Sequence, residues 1–187
     1  FKGFYQSERF FADMADDIRK AFTFNPSLSN RKTKEMSEQI DHDENAVSIH
    51  VRRGDYLEPK YWKTTGCVCQ LPYYLNAIAE MNKRISQPSY YVFSDDIAWV
   101  KENLPLPKAF FIDWNKGTES WQDMMLMSRC RHHIICNSTF SWWGAWLNPR
   151  ENKTVIMPER WFRHCETPDI CPDKWIKVPI NQPDSIQ

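Results

Sequence analysis

The sequence predicts an α/β domain in which a parallel sheet is covered by helices on both faces. Short apolar segments rich in β-branched and aromatic residues alternate with longer segments whose apolar residues recur at helical spacing. Strands separated by helices pair in parallel, and such a sheet needs helices on both faces because both faces are apolar. The predicted strands are 46–51, 90–93, 109–112, 133–136 and 154–157.

Helices are predicted before the sheet and between its strands. Apolar residues recur at helical spacing from Phe4 to Phe24, and Ser7 can cap the first turn. The polar segment from Arg31 to Asp43 predicts either a surface helix or a mobile linker. Within the sheet region, the predicted helices cover 72–85, 96–104, 120–131 and 140–147.

Local signals indicate where several of these helices begin. Pro72 stands at a first helical position, and Asp96 can accept a hydrogen bond as an N-cap. Ser120 and Asp123 have the spacing of a capping box. After Pro158 the tail is rich in proline and tryptophan, so we expect it to wrap over the domain.

Composition limits the classes of function. The length of 187 residues fits one domain, or one domain plus part of another. Because the net charge is zero, no general attraction to nucleic acid or to an anionic membrane is expected, and arginines must act locally. No apolar run reaches the length of a membrane span, no signal peptide is visible, and neither a GxGxxG nor a P-loop motif occurs.

The six cysteines raise the question of a metal or of disulfides. Cys130 and Cys136 lie in apolar segments, which is typical of core thiols. The clusters at 67–69 and 165–171 lack the two-residue spacing of a zinc knuckle. A disulfide from Cys165 to Cys171 stays open for an oxidising compartment, and reduced thiols are the default expectation.

The first strand ends in a charged segment that contains Arg52, Arg53, Gly54 and Asp55. Neighbouring side chains of a strand point to opposite faces, so we expect the two arginines to have different partners. An arginine at the carboxyl end of a strand suits a phosphate, which its planar donor group can hold bidentately. The alternative is an ion pair that only stabilises the strand end, and this segment alone does not decide between them.

The fourth strand leads into Ser138, Thr139 and Ser141 at the start of a helix. A helix N-terminus presents free N–H groups and the positive end of the helix dipole, which together suit an anion. One of the hydroxyls could merely cap the helix. Because the segment has more polar residues than one cap requires, we favour a phosphate site.

Asp95 and Asp96 follow the second strand. A carboxylate at this place in a nucleotide-binding fold commonly accepts hydrogen bonds from a ribose or a base. Paired carboxylates can also bind a divalent metal, and Asp96 could simply cap the next helix. We favour capping by Asp96 and ligand contact by Asp95. The three strand ends then form a cradle for a nucleoside diphosphate that needs no metal, since the arginine and the helix dipole supply positive charge.

Three segments resemble the motifs of the α-1,2-fucosyltransferase family, glycosyltransferase family 11, of the bacterial type. They are HVRRGDY (50–56), FSDD (93–96) and NSTFSWWGAWLN (137–148), and segments 3–8 and 123–128 are similar as well. The resemblance covers nearly the whole chain, with the motifs in the right order. It implies a two-domain GT-B architecture and inverting transfer of L-fucose from GDP-fucose to a galactoside 2-hydroxyl, in glycan or surface polysaccharide synthesis.

The resemblance also implies roles for single residues. Arg52 would contact the β-phosphate, and Asp95 would accept from guanine N–H groups. An inverting transfer needs a base, and the candidates are Asp55 or a group in a segment that precedes this chain. Asp55 could instead only orient an arginine, and His50 is equally consistent with a core histidine. The catalytic candidates are thus Arg52 and Asp55, and the donor-binding candidates are His50, Arg52, Asp95, Asn137, Ser138, Thr139, Phe140 and Ser141.

The resemblance divides the chain into two parts. Residues 46–187 become a Rossmann-like domain that binds GDP-fucose, the donor-binding half of a GT-B enzyme, with a C-terminal wrap. Residues 1–45 become a helical segment and linker left from the acceptor-side domain, because family members carry about a further hundred residues before the equivalent of Phe1.

The expected partners are GDP-fucose and a galactose-terminated glycan, without nucleic acid, cofactor or metal. The expected location is the cytoplasm, either free or peripheral at the inner membrane. Two alternatives stay open: a truncated, non-catalytic module that binds a nucleotide or a glycan, and another nucleotide-sugar transferase. The acceptor glycan is not predictable, because its pocket depends on loops and on the other half-domain.

Overall fold

The computed structural model describes residues 6–181, which contain one parallel sheet. Its strands are β1 (Ala46–Val51), β2 (Ser89–Ser94), β3 (Ala109–Ile112), β4 (His132–Ile134), β5 (Val155–Pro158) and β6 (Ile176–Val178). The strand order is β3-β2-β1-β4-β5-β6, and every neighbouring pair is parallel. This is the order of doubly wound nucleotide-binding folds, so the predicted Rossmann-like α/β class is confirmed.

Helices cover both faces of the sheet. They are α1 (Ala15–Ala21), α2 (Arg31–Asp41), α3 (Pro59–Tyr61), α4 (Leu71–Arg84), α5 (Ile97–Asn103), α6 (Trp121–Arg129) and α7 (Thr139–Leu147). Helices α4 and α5 share a core with Val47, Ile49 and Val51 of β1. Helices α2 and α6 pack on the opposite face of β2, and α7 packs beside them against β5.

Helix α7 is buried on nearly all sides, which explains its apolar, tryptophan-rich sequence. Trp142 is fully buried, and its indole Nε1 donates to the carbonyl oxygen of Ile170 in the tail at 2.8 Å. The tail thus wraps over α7, as predicted. None of the helices within residues 6–181 combines the length and the apolar character that a membrane span needs.

The predicted strands are confirmed in place and order, with shifts of one or two residues at their ends. The largest shift is in β4, predicted at 133–136 and observed at His132–Ile134. The chain turns sharply just beyond the strand, because the backbone N–H of Ser138 donates to the carbonyl of Cys136 at 2.8 Å. Strand β6 was not predicted, since its three residues lie between prolines in an otherwise irregular tail.

The predicted helix from Phe4 to Phe24 is wrong in its first half. Residues 1–5 lie outside the described part, and two 3₁₀ turns precede α1. Ser7 makes no capping hydrogen bond. Phe11 packs edge-on against Trp146, with ring centroids 4.9 Å apart, while Phe10 stays exposed. Packing on α7 therefore decides this segment, since a short helix has little stability of its own.

Two other local predictions had different outcomes. The segment from Arg31 is a helix rather than a linker: Asn30 caps α2, and Ile40 is fully buried. The capping box of α6 does not form, because Ser120 makes no side-chain cap. Asp123 instead accepts from Nδ2 of Asn115 at 2.8 Å, and burial raises the pKa of Asp123 to about 7.

His133 is a buried histidine that makes stability depend on pH. Its Nδ1 lies 2.8 Å from the hydroxyl of Ser48, and its Nε2 lies 2.8 Å from Nδ2 of Asn148. Burial holds the pKa of His133 well below 6.5. Below pH 6.5 the unfolded chain therefore binds a proton that the folded chain does not, so stability is present above that pH and is lost as pH falls.

We expect the free energy of unfolding to fall below pH 6.5 by up to about 1.4 kcal/mol per pH unit for this histidine. Urea unfolding of the wild type and of His133→Gln between pH 7.5 and 5 measures the slope, which should be shallower in the variant. His42→Gln, at an exposed histidine, is the matched control and should keep the wild-type slope. Equal slopes in the wild type and His133→Gln would contradict the assignment.

Candidate active site

The three sequence-predicted segments meet at the carboxyl edge of the sheet, where the chain order reverses between β1 and β4. In doubly wound sheets this switch point is where ligands bind. The backbone N–H of Arg53 donates to Asp95 Oδ1 at 2.8 Å, which joins the loops after β1 and β2. The hydroxyl of Tyr56 donates to the carbonyl of Asn137 at 3.0 Å, which joins the loops after β1 and β4.

Arg52 is held from one side only. Its Nε donates to Asp55 Oδ1 at 2.8 Å and lies 3.4 Å from Asp95 Oδ2. The hydrogen bond with Asp55 raises the pKa of Arg52 and lowers that of Asp55. The two terminal amino groups of Arg52 have no partner within residues 6–181, and 39% of its side chain is exposed. Two parallel donors are therefore available to a bidentate anion.

Arg53 turns the other way, as expected for neighbouring strand residues. Its Nε donates to Asp96 Oδ2 at 3.2 Å, and its guanidinium lies 4.0 Å from the ring centroid of Trp99. Asp96 also caps α5 by accepting from the backbone N–H of Trp99 at 3.1 Å. The predicted capping role of Asp96 is confirmed, and Arg53 forms a structural ion pair.

Asp95 lies beneath the loop that follows β1. It accepts from the backbone of Arg53, and Gly54 lies so close that a Cβ there would sit 2.7 Å from Asp95 Oδ2. A side chain at position 54 would therefore displace the carboxylate of Asp95 from its present place. Asp95 keeps 30% of its side chain exposed, and its guanine contact stays a prediction.

The start of α7 offers unpaired donors. Ser138 is the N-cap, yet its hydroxyl makes no capping hydrogen bond. Within the described residues, the hydroxyls of Ser138 and Thr139 have no protein partner. The first N–H groups of a helix also lack intrahelical acceptors, and the helix dipole favours an anion there. Capping by Ser138, the simpler explanation of this segment, does not occur.

Two of the predicted donor-binding side chains point into the protein instead. Asn137 is 2% exposed, and its Nδ2 donates to the carbonyls of Thr65 at 3.0 Å and Trp161 at 2.9 Å. The hydroxyl of Ser141 donates to the carbonyls of Cys136 at 3.3 Å and Ser138 at 3.2 Å. These side chains hold the cradle in place, so the groups that remain available to a ligand are the backbone N–H groups and the neighbouring hydroxyls.

His50 is buried directly behind the cradle. Its Nδ1 lies 3.2 Å from the thiol of Cys136, and its ring lies 5.7 Å from that of Phe140. Burial and the charge of Arg52 lower the pKa of His50 to about 3, while burial raises that of Cys136 to about 12. These shifts favour the neutral form of both groups, and the ring of His50 packs against Phe140 behind the cradle.

Sequence reasoning missed Tyr56. Its hydroxyl bonds to the cradle backbone, and burial raises its pKa well above the ordinary value. Its ring centroid lies 5.7 Å from the guanidinium of Arg52. Its position four residues after Arg52 was the one sequence feature that could have indicated a role in the site. The carbonyl that accepts its hydrogen bond belongs to Asn137, which is far away in sequence.

The possible metal ligands do not gather in the described part of the chain. No three histidine, cysteine, aspartate or glutamate side chains between residues 6 and 181 could share an ion. Asp95 and Asp96 each face an arginine instead. All six cysteines are free thiols, so the disulfide left open between Cys165 and Cys171 is not formed.

The family profile named Glycosyl transferase family 11 matches residues 1–178 of this chain. An alpha-1,2-colitosyltransferase of Escherichia coli is 37% identical over 182 residues, which are 95% of this chain and 62% of that protein. The O-antigen biosynthesis glycosyltransferase WbnK of Escherichia coli is 33% identical over 94% of this chain and 59% of its own length. The chain thus spans about three fifths of these two relatives.

A galactoside alpha-(1,2)-fucosyltransferase 1 from Ateles belzebuth is also similar. It is 31% identical over 154 residues, which are 78% of this chain and 42% of that protein. Similarity to both bacterial and primate proteins therefore covers most of the described sheet.

The contact between Gly54 and Asp95 is testable by a double-mutant cycle. Gly54→Ala should destabilise the fold by about 1–3 kcal/mol, because the added methyl group displaces the carboxylate that holds the loop. In an Asp95→Ala background most of this cost should disappear, since the obstructing atoms are gone. Chemical unfolding of the four proteins measures the coupling.

Gly117→Ala is the control for this cycle, because Gly117 has a φ of 59° and no neighbour near its missing Cβ. Gly117→Ala should lower the free energy of unfolding by the same amount in the wild type and in the Asp95→Ala background. Additive effects of Gly54→Ala and Asp95→Ala would show that the close approach does not constrain the loop.

Proposed function

This chain belongs to glycosyl transferase family 11, and on that premise we propose that it binds GDP-fucose for transfer of L-fucose to a galactoside 2-hydroxyl. The main support for this proposal is that the two terminal amino groups of Arg52 and the hydroxyls at the start of α7 are unpaired at the same edge of the sheet. Such donors suit the diphosphate of a nucleotide sugar. In this proposal the chain supplies the donor-binding half of a GT-B enzyme in glycan or surface polysaccharide synthesis.

Arg52 is the proposed electrostatic catalyst. When the bond from fucose to GDP breaks, negative charge grows on the β-phosphate, and an arginine already in place stabilises it without reorganising. Asp55 holds Nε of Arg52, and its lowered pKa makes it a weak base. We therefore assign Asp55 the orienting role. An inverting transfer then takes its base from another group near the acceptor hydroxyl.

A second candidate donor sugar is colitose. One of the bacterial relatives, at 37% identity, is named for colitosyl transfer rather than fucosyl transfer. The phosphate and guanine contacts would be the same for both sugars, so the cradle does not distinguish them. Parallel donor-release assays with GDP-fucose and GDP-colitose separate the two candidates.

The proposed site uses no metal and no further cofactor. Arg52, the free N–H groups of α7 and two hydroxyls can stabilise a diphosphate through directed hydrogen bonds and the helix dipole. Asp95 and Asp96 are both engaged by arginines, which disfavours a shared divalent ion. The proposed partners are GDP-fucose and a galactose-terminated glycan, at work in the cytoplasm either free or at the inner face of the membrane.

Arg52→Lys should lower the rate of GDP release in the presence of a galactoside by about 30- to 1,000-fold, or about 2–4 kcal/mol. Lysine keeps the charge but loses the planar pair of donors. The melting temperature should stay near that of the wild type, since the arginine is partly exposed and is held at Nε only. Steady-state kinetics and thermal unfolding of the same preparations measure both quantities.

Arg53→Lys is the matched comparison, because Arg53 lies on the opposite face and stacks on Trp99. It should lower the melting temperature and leave most of the rate intact. Near-normal turnover in Arg52→Lys would refute the catalytic role. GDP binding without any turnover in the wild type would favour the non-catalytic module.

The base of the nucleotide gives a separate test of the proposed donor. GDP should bind more tightly than ADP or UDP, because Asp95 can accept from the N1–H and the amino group of guanine. Calorimetric titration of the wild type and of Asp95→Asn should show this preference and its loss. Chelator should leave GDP affinity unchanged. Equal affinities for the three nucleotides, or a strict need for Mg²⁺, would contradict the donor assignment.

A further inference from the structure

Two arginines near the cradle have no ionic partner. Within residues 6–181 every other arginine side chain forms an ion pair or a hydrogen bond, whereas Arg160 and Arg163 form neither. Both side chains are exposed, just beyond the carboxyl end of β5. In a chain with a net charge of zero, two neighbouring guanidinium groups that form no ion pair, beside the single carboxylate of Glu159, are a local excess of positive charge.

These arginines line a cleft of about 540 Å³ together with Trp62 and His164. That volume is in the range of small-molecule binding sites. Trp62 is 37% exposed, so part of its indole surface is available to a ligand. The carboxylate in the cleft, Glu159, accepts from the backbone N–H of Ile180 at 3.3 Å. The cleft thus combines an aromatic surface with free cationic donors.

The cleft is attached to the cradle by hydrogen bonds. Arg163 donates its backbone N–H to the carbonyl of Thr64 at 3.0 Å, two residues after Trp62. The next carbonyl, that of Thr65, accepts from the buried amide of Asn137, which also bonds to Trp161. Asn137 immediately precedes the hydroxyls of the cradle. A ligand in the cleft would therefore contact segments that are hydrogen-bonded to the start of the cradle.

We propose that this cleft binds the acceptor glycan and selects one that carries a negative charge beside its galactose. The inference rests on the proposed function for the identity of the ligand as an acceptor. Sugar rings present apolar C–H faces that pack on indole, and guanidinium groups hold carboxylate or phosphate groups bidentately. The charged group would belong to the residue that neighbours the galactose, as a uronic acid or a sugar phosphate.

The test uses three disaccharides that differ at a single carbon. They are lactose, lactose with glucuronic acid in place of glucose, and lactose phosphorylated at position 6 of its glucose. Calorimetry or saturation-transfer NMR measures their affinities for the chain without donor. We expect the acidic compounds to bind about five- to tenfold more tightly at low salt, with the preference shrinking as salt rises. Comparing the two acidic compounds distinguishes recognition of a carboxylate from recognition of a phosphate.

Two variants assign the effect. In the double variant with Arg160→Gln and Arg163→Gln, the acidic disaccharides should bind with about the same affinity as lactose. The affinity for lactose itself should not change, because only the contact with the charged group is removed. Trp62→Ala should weaken all three compounds. Arg31→Gln, at an exposed arginine that pairs with Glu35 on α2, is the matched control and should keep the full preference.

Four results would overturn the inference. Three are equal binding of acidic and neutral disaccharides, a preference that survives in the double variant, and a preference abolished by saturating GDP. A preference abolished by GDP would mean that the arginines hold the donor diphosphate. Binding to anionic phospholipid vesicles, lost in the double variant and with no glycan preference, would make the cleft a membrane contact and would equally reject it. The GDP titration described above tests the donor assignment by itself, so a failure of that assignment is distinguishable from a failure of this inference.

Discussion

The candidate site depends first on the carboxylate of Asp95, which fixes the chain as it leaves β1. It accepts from the backbone of Arg53 at 2.8 Å and packs on Gly54, where an added Cβ would lie 2.7 Å from its Oδ2. With the backbone held there, Arg52 and Arg53 are committed to opposite sides. One pairs with Asp96 under the sheet edge, and the other presents two unpaired amino groups to the crevice. A single backbone contact thus directs the structural arginine and the arginine proposed to bind a phosphate to opposite sides.

Much of the fold was predictable because its elements carry local signals. Each main strand is a short apolar segment, and Asp96 caps α5 as its position indicated. Prediction failed where distant packing decides: residues before Ala15 follow the tryptophans of α7 rather than helical periodicity. It also failed at β6, whose three residues form a strand only because β5 offers them an edge. Short segments without regular patterning take their conformation from their neighbours.

At the candidate site, residue types were more predictable than side-chain directions. The arginine, the carboxylate and the hydroxyls do converge at the switch point. Asn137 and Ser141, however, face inward. Ser141 bonds within its own segment, to the carbonyls of Cys136 and Ser138, whereas Asn137 bonds across 72 residues to Thr65. No pattern near Asn137 reports such a distant pairing, so its positioning role is set by a tertiary contact that a motif does not contain.

Charge is distributed around this edge in two distinct ways. At the cradle, Arg52 and Arg53 are matched by Asp55, Asp95 and Asp96, so the protein side chains there are not net positive. Attraction for a diphosphate must then come from directed donors, namely the free amino groups of an arginine held in place and the N–H groups of α7. In the neighbouring cleft two arginines form no ion pair and outnumber the one carboxylate, Glu159. Preorganised hydrogen-bond donors suit the phosphate of a nucleotide sugar, whose negative charge grows during the reaction. An excess of positive charge suits a ligand that is anionic from the start.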